Sequence, residues 1–504
     1  MLARLRSAAL FGVDPSVVEV EVDVSFGLPA FNMVGLPDSS VRESRDRVRS
    51  AIENSGFEFP AHRVTINLAP ADVRKRGTSF DFAIAVGVLA ASGVVTRREF
   101  SGLLLLGELS LNGRIQPPRG VLPVALAARR NKLTLLVPEP SGREAAIVPD
   151  LKIQLVSSLA DAVAVLNEER AAPTLPRTRF APRRPESDRE LADIKGQRTA
   201  KRALEIAAAG RHNLLFVGPP GAGKTMMAHS LPGILPAPSF EEAIDTTVIH
   251  SVLGLVPETE GILGHRPFRA PHHTISDVAL IGGGREPRPG EVSLAHNGVL
   301  FLDEIPEFDR GALEVLRQPI EDGEVRIARA AGVATFPASF LLVAAMNPCA
   351  CGHADSPRRT CRCTPQQIGR YRGRLSGPLR DRFDLTVPVK PVPAEVLTGT
   401  GTEETSREVR AHIEAARARQ QMRYGAQAGR TNADLRGARL TAACTLAEDG
   451  QRLLQRAVAR LGLSARGYDR VRRVARTIAD LDGQAAVGAP HVAEALGYRS
   501  WGDT

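Results

Sequence analysis

The stretch NLLFVGPPGAGKT, Asn213 to Thr225, decides the fold of this chain. Leu214 to Val217 are consecutive apolar residues and read as a buried strand. They run into Gly218-Pro219-Pro220-Gly221-Ala222-Gly223-Lys224-Thr225, which satisfies G-x-x-x-x-G-K-[ST] at every fixed position. Glycines without Cβ let successive backbone N–H groups curl around a β-phosphate. The helix that follows turns its positive dipole end toward the same anion. In that frame Lys224 reaches the β- and γ-phosphates, and Thr225 offers a hydroxyl to Mg²⁺. ATP and Mg²⁺ are therefore the expected cofactors, on a parallel α/β sheet.

A second apolar run, Gly298 to Leu302, ends in Asp303-Glu304. Asp303 is placed to hold Mg²⁺ through water, and Glu304 to polarise the attacking water. A third, Phe340 to Ala345, ends at Met346-Asn347. Between them EDGEVRIARAAGVATFPASF (321–340) reads as a β-hairpin around Ala330-Ala331-Gly332, with Arg326 and Arg329 on or near its tip. RPFRAPHHTISDVALIGGG (266–284) is glycine-rich and irregular. His272 and His273 are adjacent and so face apart, without a carboxylate at partner spacing, which favours structural hydrogen bonding over a metal site.

Beyond Asn347 lies the pattern Cys349-Ala350-Cys351, then Cys361-Arg362-Cys363. Two C-x-C pairs nine residues apart can supply four thiolates to one tetrahedral Zn²⁺, with His353 able to replace one of them. Four free thiols so close together would oxidise, so structural zinc is the expectation.

Residues 1–167 read as an α/β unit: a strand in Val17–Val24, a helix over 39–55, a strand at 64–68 and a wholly apolar helix over 80–91. A hairpin turn at Asn112-Gly113, a helix over 121–130 and a strand over 133–137 follow. Residues 168–192 carry prolines and charges without apolar periodicity, a solvated tether. Residues 193–395 hold the nucleotide motifs, and 396–504 are helical and arginine-dense, with Val471, Val474, Ile478 and Leu481 at helical spacing. Arg472, Arg473 and Arg476 are expected on a solvated or subunit-facing surface.

Net charge is +9 over 504 residues, which suits a polyanionic partner, while 4% aromatics argues against stacking platforms for single strands. No apolar run is long enough to span a membrane, and the N-terminus makes a poor signal peptide. Four of the five cysteines are clustered, unlike a secreted disulfide framework, so a cytoplasmic location is expected.

The strings KRGTSFDFAIAVGVLAASG (75–93) and GELSLNGRIQPPRGVLPVALAA (107–128) resemble the proteolytic domain of Lon proteases, a ribosomal-S5-like fold. That resemblance puts Ser79 where the nucleophile would stand and Leu122 where its activating lysine would. Leucine takes no proton, and Lys132 lies a helix away, so a non-proteolytic domain is implied. With RPFRAPHH, the NPCxCG cluster and SARGYDRVRRVARTIADL, the chain over nearly its whole length resembles the magnesium-chelatase-like AAA+ ATPases of the YifB/ComM family.

The resemblance implies a Lon-like N-terminal domain, a P-loop core and a helical lid. It assigns Asn347 to positioning the lytic water. Arg382 becomes the arginine finger into a neighbouring subunit, with Arg380 the alternative. Arg466 becomes the nucleotide-sensing arginine of the lid, with Arg470 its competitor. It further implies a homo-hexameric ring that moves on DNA and drives branch migration, with Arg326 and Arg329 gripping phosphates. A chelatase-type motor remodelling a protein partner is the alternative.

Overall fold

The computed structural model describes residues 1–36, 38, 41, 43–71, 75, 77–175, 180–183, 189–284, 286–329, 332–354, 359–398, 402–425 and 431–499. Its centre is a five-stranded sheet: β1 (Leu214–Val217), β2 (Phe268–Arg269), β3 (Val299–Leu302), β4 (Leu341–Met346) and β5 (Leu385–Pro388). The strands lie in the order β2-β3-β4-β1-β5, every neighbouring pair parallel. All the loops leaving the C-terminal ends of these strands therefore gather on one edge, where ligands of such sheets bind.

Alternation along each strand divides the core in two. Leu214, Phe216, Val299, Phe301, Leu341, Val343 and Ala345 face one side. Leu215, Val217, Leu300, Leu302, Leu342, Ala344 and Met346 face the other. Both faces are covered, so each strand is apolar throughout, as parallel strands are. The first face meets α1 (Arg198–Gly210) and α2 (Lys224–Ile234). The C-terminal helices continue that same core, so the helical part packs directly onto the nucleotide unit. Two of these helices matter below: α3 (Ser406–Tyr424) and α4 (Ala465–Leu481).

The opposite face is covered by the hairpin of Glu324–Arg329 with Gly332–Pro337. Val325, Ile327, Ala334 and Phe336 point in, while Arg326 and Arg329 are exposed. Arg329 pairs with Gly332 beside the tip, and Arg326 with Thr335 further back. Ala330 and Ala331, the expected turn centre, lie outside the described residues.

The N-terminal part carries a four-stranded sheet of Leu2–Phe11, Asp14–Ser25, Arg63–Ala69 and Ala30–Val34, in that spatial order. The helix Asp81–Ala91 is buried along its whole length against it. Three short parallel strands, Leu103–Leu105, Thr134–Pro138 and Ile153–Val156, form a second sheet. The expected turn at Asn112-Gly113 is present: Glu108–Leu109 pairs with Ile115–Gln116, and Gly113 has φ 78°. This unit touches the core through the Phe11-Gly12 turn. Gly12 has φ +64°, and a Cβ there would stand 3.1 Å from Ala334 and 3.2 Å from Phe336 of the hairpin.

Several expectations need correction. The N-terminus is a strand, Leu2–Phe11, that the sequence reading does not include; its partner Asp14–Ser25 gives it a register that its own pattern does not. The 266–284 stretch is less irregular than expected, since Phe268–Arg269 is the edge strand of the central sheet and Asp277–Ile281 a short helix. His272 and His273 do not face apart: their ring centroids lie 4.1 Å from each other, with His272 Nδ1 2.9 Å from the Thr274 hydroxyl. The tether is not wholly solvated either. Phe180 packs on Phe240, and the Arg183 backbone N–H donates to Gly264 O at 2.7 Å. Arg472 and Arg476 are buried rather than at the surface, Arg476 fully, and Arg473 is half-buried.

Candidate active site

Every motif at the C-terminal edge of the sheet converges on the loop after β1. Gly221 and Gly223 take φ of 75° and 90°, left-handed values that glycine adopts without strain. Gly218 is glycine for another reason: a Cβ there would lie 2.2 Å from Val389 O. Lys224 is buried, and its Nζ donates to Gly218 O at 2.7 Å, Pro219 O at 3.0 Å and Asn347 Oδ1 at 3.1 Å. Burial lowers its pKa from the usual lysine value, while Asp303 and Glu304 pull the other way.

Thr225 donates its hydroxyl to Asp303 Oδ2 at 2.7 Å, joining the two residues expected to share Mg²⁺. Asp303 Oδ1 accepts the Glu304 backbone N–H at 2.9 Å. That bond holds Glu304 at φ 50°, a left-handed conformation unusual for glutamate, with its carboxylate exposed at the mouth of the site. Asn347 follows the last residue of β4. Lys224, Thr225, Asp303, Glu304 and Asn347 thus come from three adjacent strands and meet at one edge.

Arg382 and Arg466 are elsewhere. They share a cavity of about 360 Å³ with Asn213, Phe340 and Asp384, which precede β1, β4 and β5. This is the N-terminal edge of the parallel sheet. β1 has four residues, which at roughly 3.3 Å per residue puts about 13 Å of strand between the two groups. The cavity is rich in arginine, with Arg211, Arg436, Arg470 and Arg473 also on its wall. Arg382 pairs with Glu321, but its Nε is buried without a partner. Burial, then the charges of Arg466, Arg317, Arg470 and Arg436, lower its pKa. Arg470 differs: it is committed to Asp384 and to the Asp381 carbonyl, whereas Arg466 is exposed. Arg380 does not line this cavity.

The four cysteines come together as their spacing suggests. Their sulfurs all lie within 4.8 Å of one another. Cys349 Sγ is 3.4 Å from Cys351 and 3.7 Å from Cys361, and Cys351 is 3.6 Å from Cys361. Thiolates about 2.3 Å from a tetrahedral zinc stand about 3.8 Å apart, so this donor set fits that ion. His353 is not in the group, and its Nδ1 is buried without a hydrogen-bond partner. In the N-terminal unit Ser79 borders a cavity of about 390 Å³. Leu122 is fully buried and does not line that cavity, and Lys132 is exposed beyond the far end of the helix Val121–Arg130.

Two positioning residues escaped sequence reading. Gln197, at φ 51°, donates through Nε2 to Ala222 O at 3.1 Å and Lys390 O at 2.7 Å, tying the phosphate loop to the chain beyond β5. Asn213 donates to Arg382 O at 2.9 Å and accepts from Leu342 N–H at 3.0 Å. The polar residue directly before the β1 run was the only signal for the second.

Three family models match the chain. "Magnesium chelatase, subunit ChlI" covers residues 190–397, "Subunit ChlI of Mg-chelatase" residues 20–141, and "Magnesium chelatase, subunit ChlI C-terminal" residues 403–499. The chain is 46% identical to the competence protein ComM of Haemophilus influenzae, over 99% of its own length and 97% of that protein. It is 42% identical to YifB of Escherichia coli, over 99% and 97%. A more distant similarity, 27% over 39% of this chain and 43% of the other, is to the Holliday junction branch migration complex subunit RuvB of Saccharopolyspora erythraea.

Proposed function

The chain belongs to the magnesium-chelatase-like family of ComM and YifB, and on that premise we propose that this AAA+ ATPase is a ring motor acting on DNA. The ring is a homo-hexamer and the work is branch migration of recombination intermediates, as in integration of transforming DNA. The observation that carries the reading is the division of catalytic groups between the two edges of the sheet. Lys224 with the Gly218–Gly223 backbone holds the phosphates of ATP, Thr225 and Asp303 hold Mg²⁺, Glu304 takes the proton of the attacking water, and Asn347 orients it. Arg382 and Arg466, about 13 Å or more from that site within one chain, serve the nucleotide of the next subunit, where a guanidinium neutralises charge on the γ-phosphate. A closed ring of head-to-tail contacts satisfies every site.

Arg326 and Arg329, exposed on the hairpin, contact DNA phosphates without reading sequence. The names of ComM and RuvB favour DNA over a protein substrate. Cys349, Cys351, Cys361 and Cys363 hold a structural Zn²⁺. The N-terminal unit, with Leu122 where a lysine would be needed, is a non-proteolytic scaffold.

ATPase rate measured without DNA, with duplex and with a four-way junction, at low and moderate salt, tests the reading. Stimulation by the junction that weakens as salt rises supports it. A rate indifferent to every DNA overturns it in favour of a chelatase-type motor on a protein partner.

A further inference from the structure

The cysteine cluster sits against the nucleotide site rather than apart from it. Its first arm leaves β4 at Asn347, the residue that accepts from Lys224, and reaches Cys349 and Cys351 within four residues. Gly352 then turns the chain, its N–H donating to Cys349 O at 2.9 Å. Its φ is +80°, and a Cβ there would fall 2.6 Å and 2.8 Å from Cδ and Cγ of Pro220. Pro220 is the central residue of the phosphate loop, immediately before Gly221. Backbone of the cysteine loop and ring of the phosphate loop are therefore in direct contact, with no room for one more carbon.

The second arm closes on the same place. Cys361 and Cys363 lead into the helix Pro365–Arg372, started by a Thr364–Gln367 capping box. From its last turn Arg372 Nε donates to Pro348 O at 3.1 Å, and Tyr371 bonds the backbone of Asn347. Asn347 and Pro220 are thus braced from one side by two chain segments. Among the described residues the four thiols bring the ends of those segments together.

We propose that the four-cysteine cluster is a metal-held strut for the ATP site, with Gly352 as the positioning residue that sets Pro220. The metal touches no nucleotide. It fixes the distance between the two arms, and so the seat of the phosphate loop and the aim of Asn347. This rests on the zinc reading above, and it goes further by making nucleotide affinity depend on the metal.

Linkage supplies the test, because coupling between two binding sites is reciprocal. Purified protein is assayed for zinc, and its Zn²⁺ affinity is then measured by competition with a chromogenic chelator, with and without saturating ADP. The strut predicts about tenfold tighter Zn²⁺ retention with ADP, and an equal weakening of ADP binding in metal-stripped protein, restored by Zn²⁺. Gly352→Ala keeps all four ligands, so it should bind zinc at the wild-type ratio while its KM for ATP rises about tenfold, more than its kcat falls. Cys361→Ser should lose zinc and weaken ADP binding together. Protein that carries no zinc and takes none up overturns the cluster and the strut alike. Zinc that binds tightly but is indifferent to ADP, with Gly352→Ala unchanged in KM, overturns the strut and leaves the zinc site standing.

Discussion

Lys224 donates to two carbonyls of its own loop and to Asn347, so one ammonium group ties the phosphate loop to the end of β4. Replacing it by alanine removes the tie and the proposed phosphate ligand together. Lys224→Ala should abolish binding of a fluorescent ATP analogue; retained binding would overturn the site. Glu304→Gln keeps the shape but cannot accept a proton, so ATP binding should persist while turnover falls about 10²- to 10⁴-fold in a phosphate-release assay. The Gly218–Thr225 motif was legible because it is contiguous and its chemistry dictates its spacing, and Asp303-Glu304 because it ends an apolar run. Asn213 and Gln197 were not, because their partners Arg382 and Lys390 lie 169 and 193 positions away. Arg476 was misplaced for a related reason: its Nη1 and Nη2 groups meet Asp480 and the Ala485 and Gln484 carbonyls in the interior, partners that charge alone does not advertise.

Among the elements, α4 shows how a buried polar network holds a helix. Asp480, fully buried, accepts from Arg423, Arg476 and Asn432, joining α4 to α3 and to the chain after it. Removing one member of such a network leaves guanidinium charge uncompensated in the interior. Asp480→Ala should therefore cost about 3–5 kcal/mol, seen as a lower urea midpoint for loss of helical signal, with the order of unfolding shifted toward the C-terminal helices. The strands β1, β3 and β4 were readable as apolar runs of four to six residues. β2 has two residues, too few for any period to show. Leu2–Phe11 carries Arg4 at an exposed position and Arg6 at a half-buried one, and needed its neighbour to reveal it as a strand.

For the molecule as a whole, the division of the ATPase machinery makes a prediction about mixtures. Arg382→Ala subunits should bind ATP and fail to hydrolyse it, as should Glu304→Gln subunits. Mixed in equal amounts they should regain activity, since about a quarter of the interfaces in a random ring pair an intact glutamate with an intact arginine. Absence of recovery in a verified mixed oligomer would mean that each chain works alone. The edge that bears each group was not readable from sequence, because it depends on all five strands running the same way.

Asn213 sits at the root of β1, bonded to the Arg382 carbonyl, while the other end of that strand becomes the phosphate loop. That strand is bonded on both sides, to β4 and to β5. When sites are shared between neighbours, a subunit cannot loosen its grip on its own nucleotide without also re-aiming the arginines it lends next door. A ring built as proposed would keep time: each hydrolysis event would set the hand of the following one.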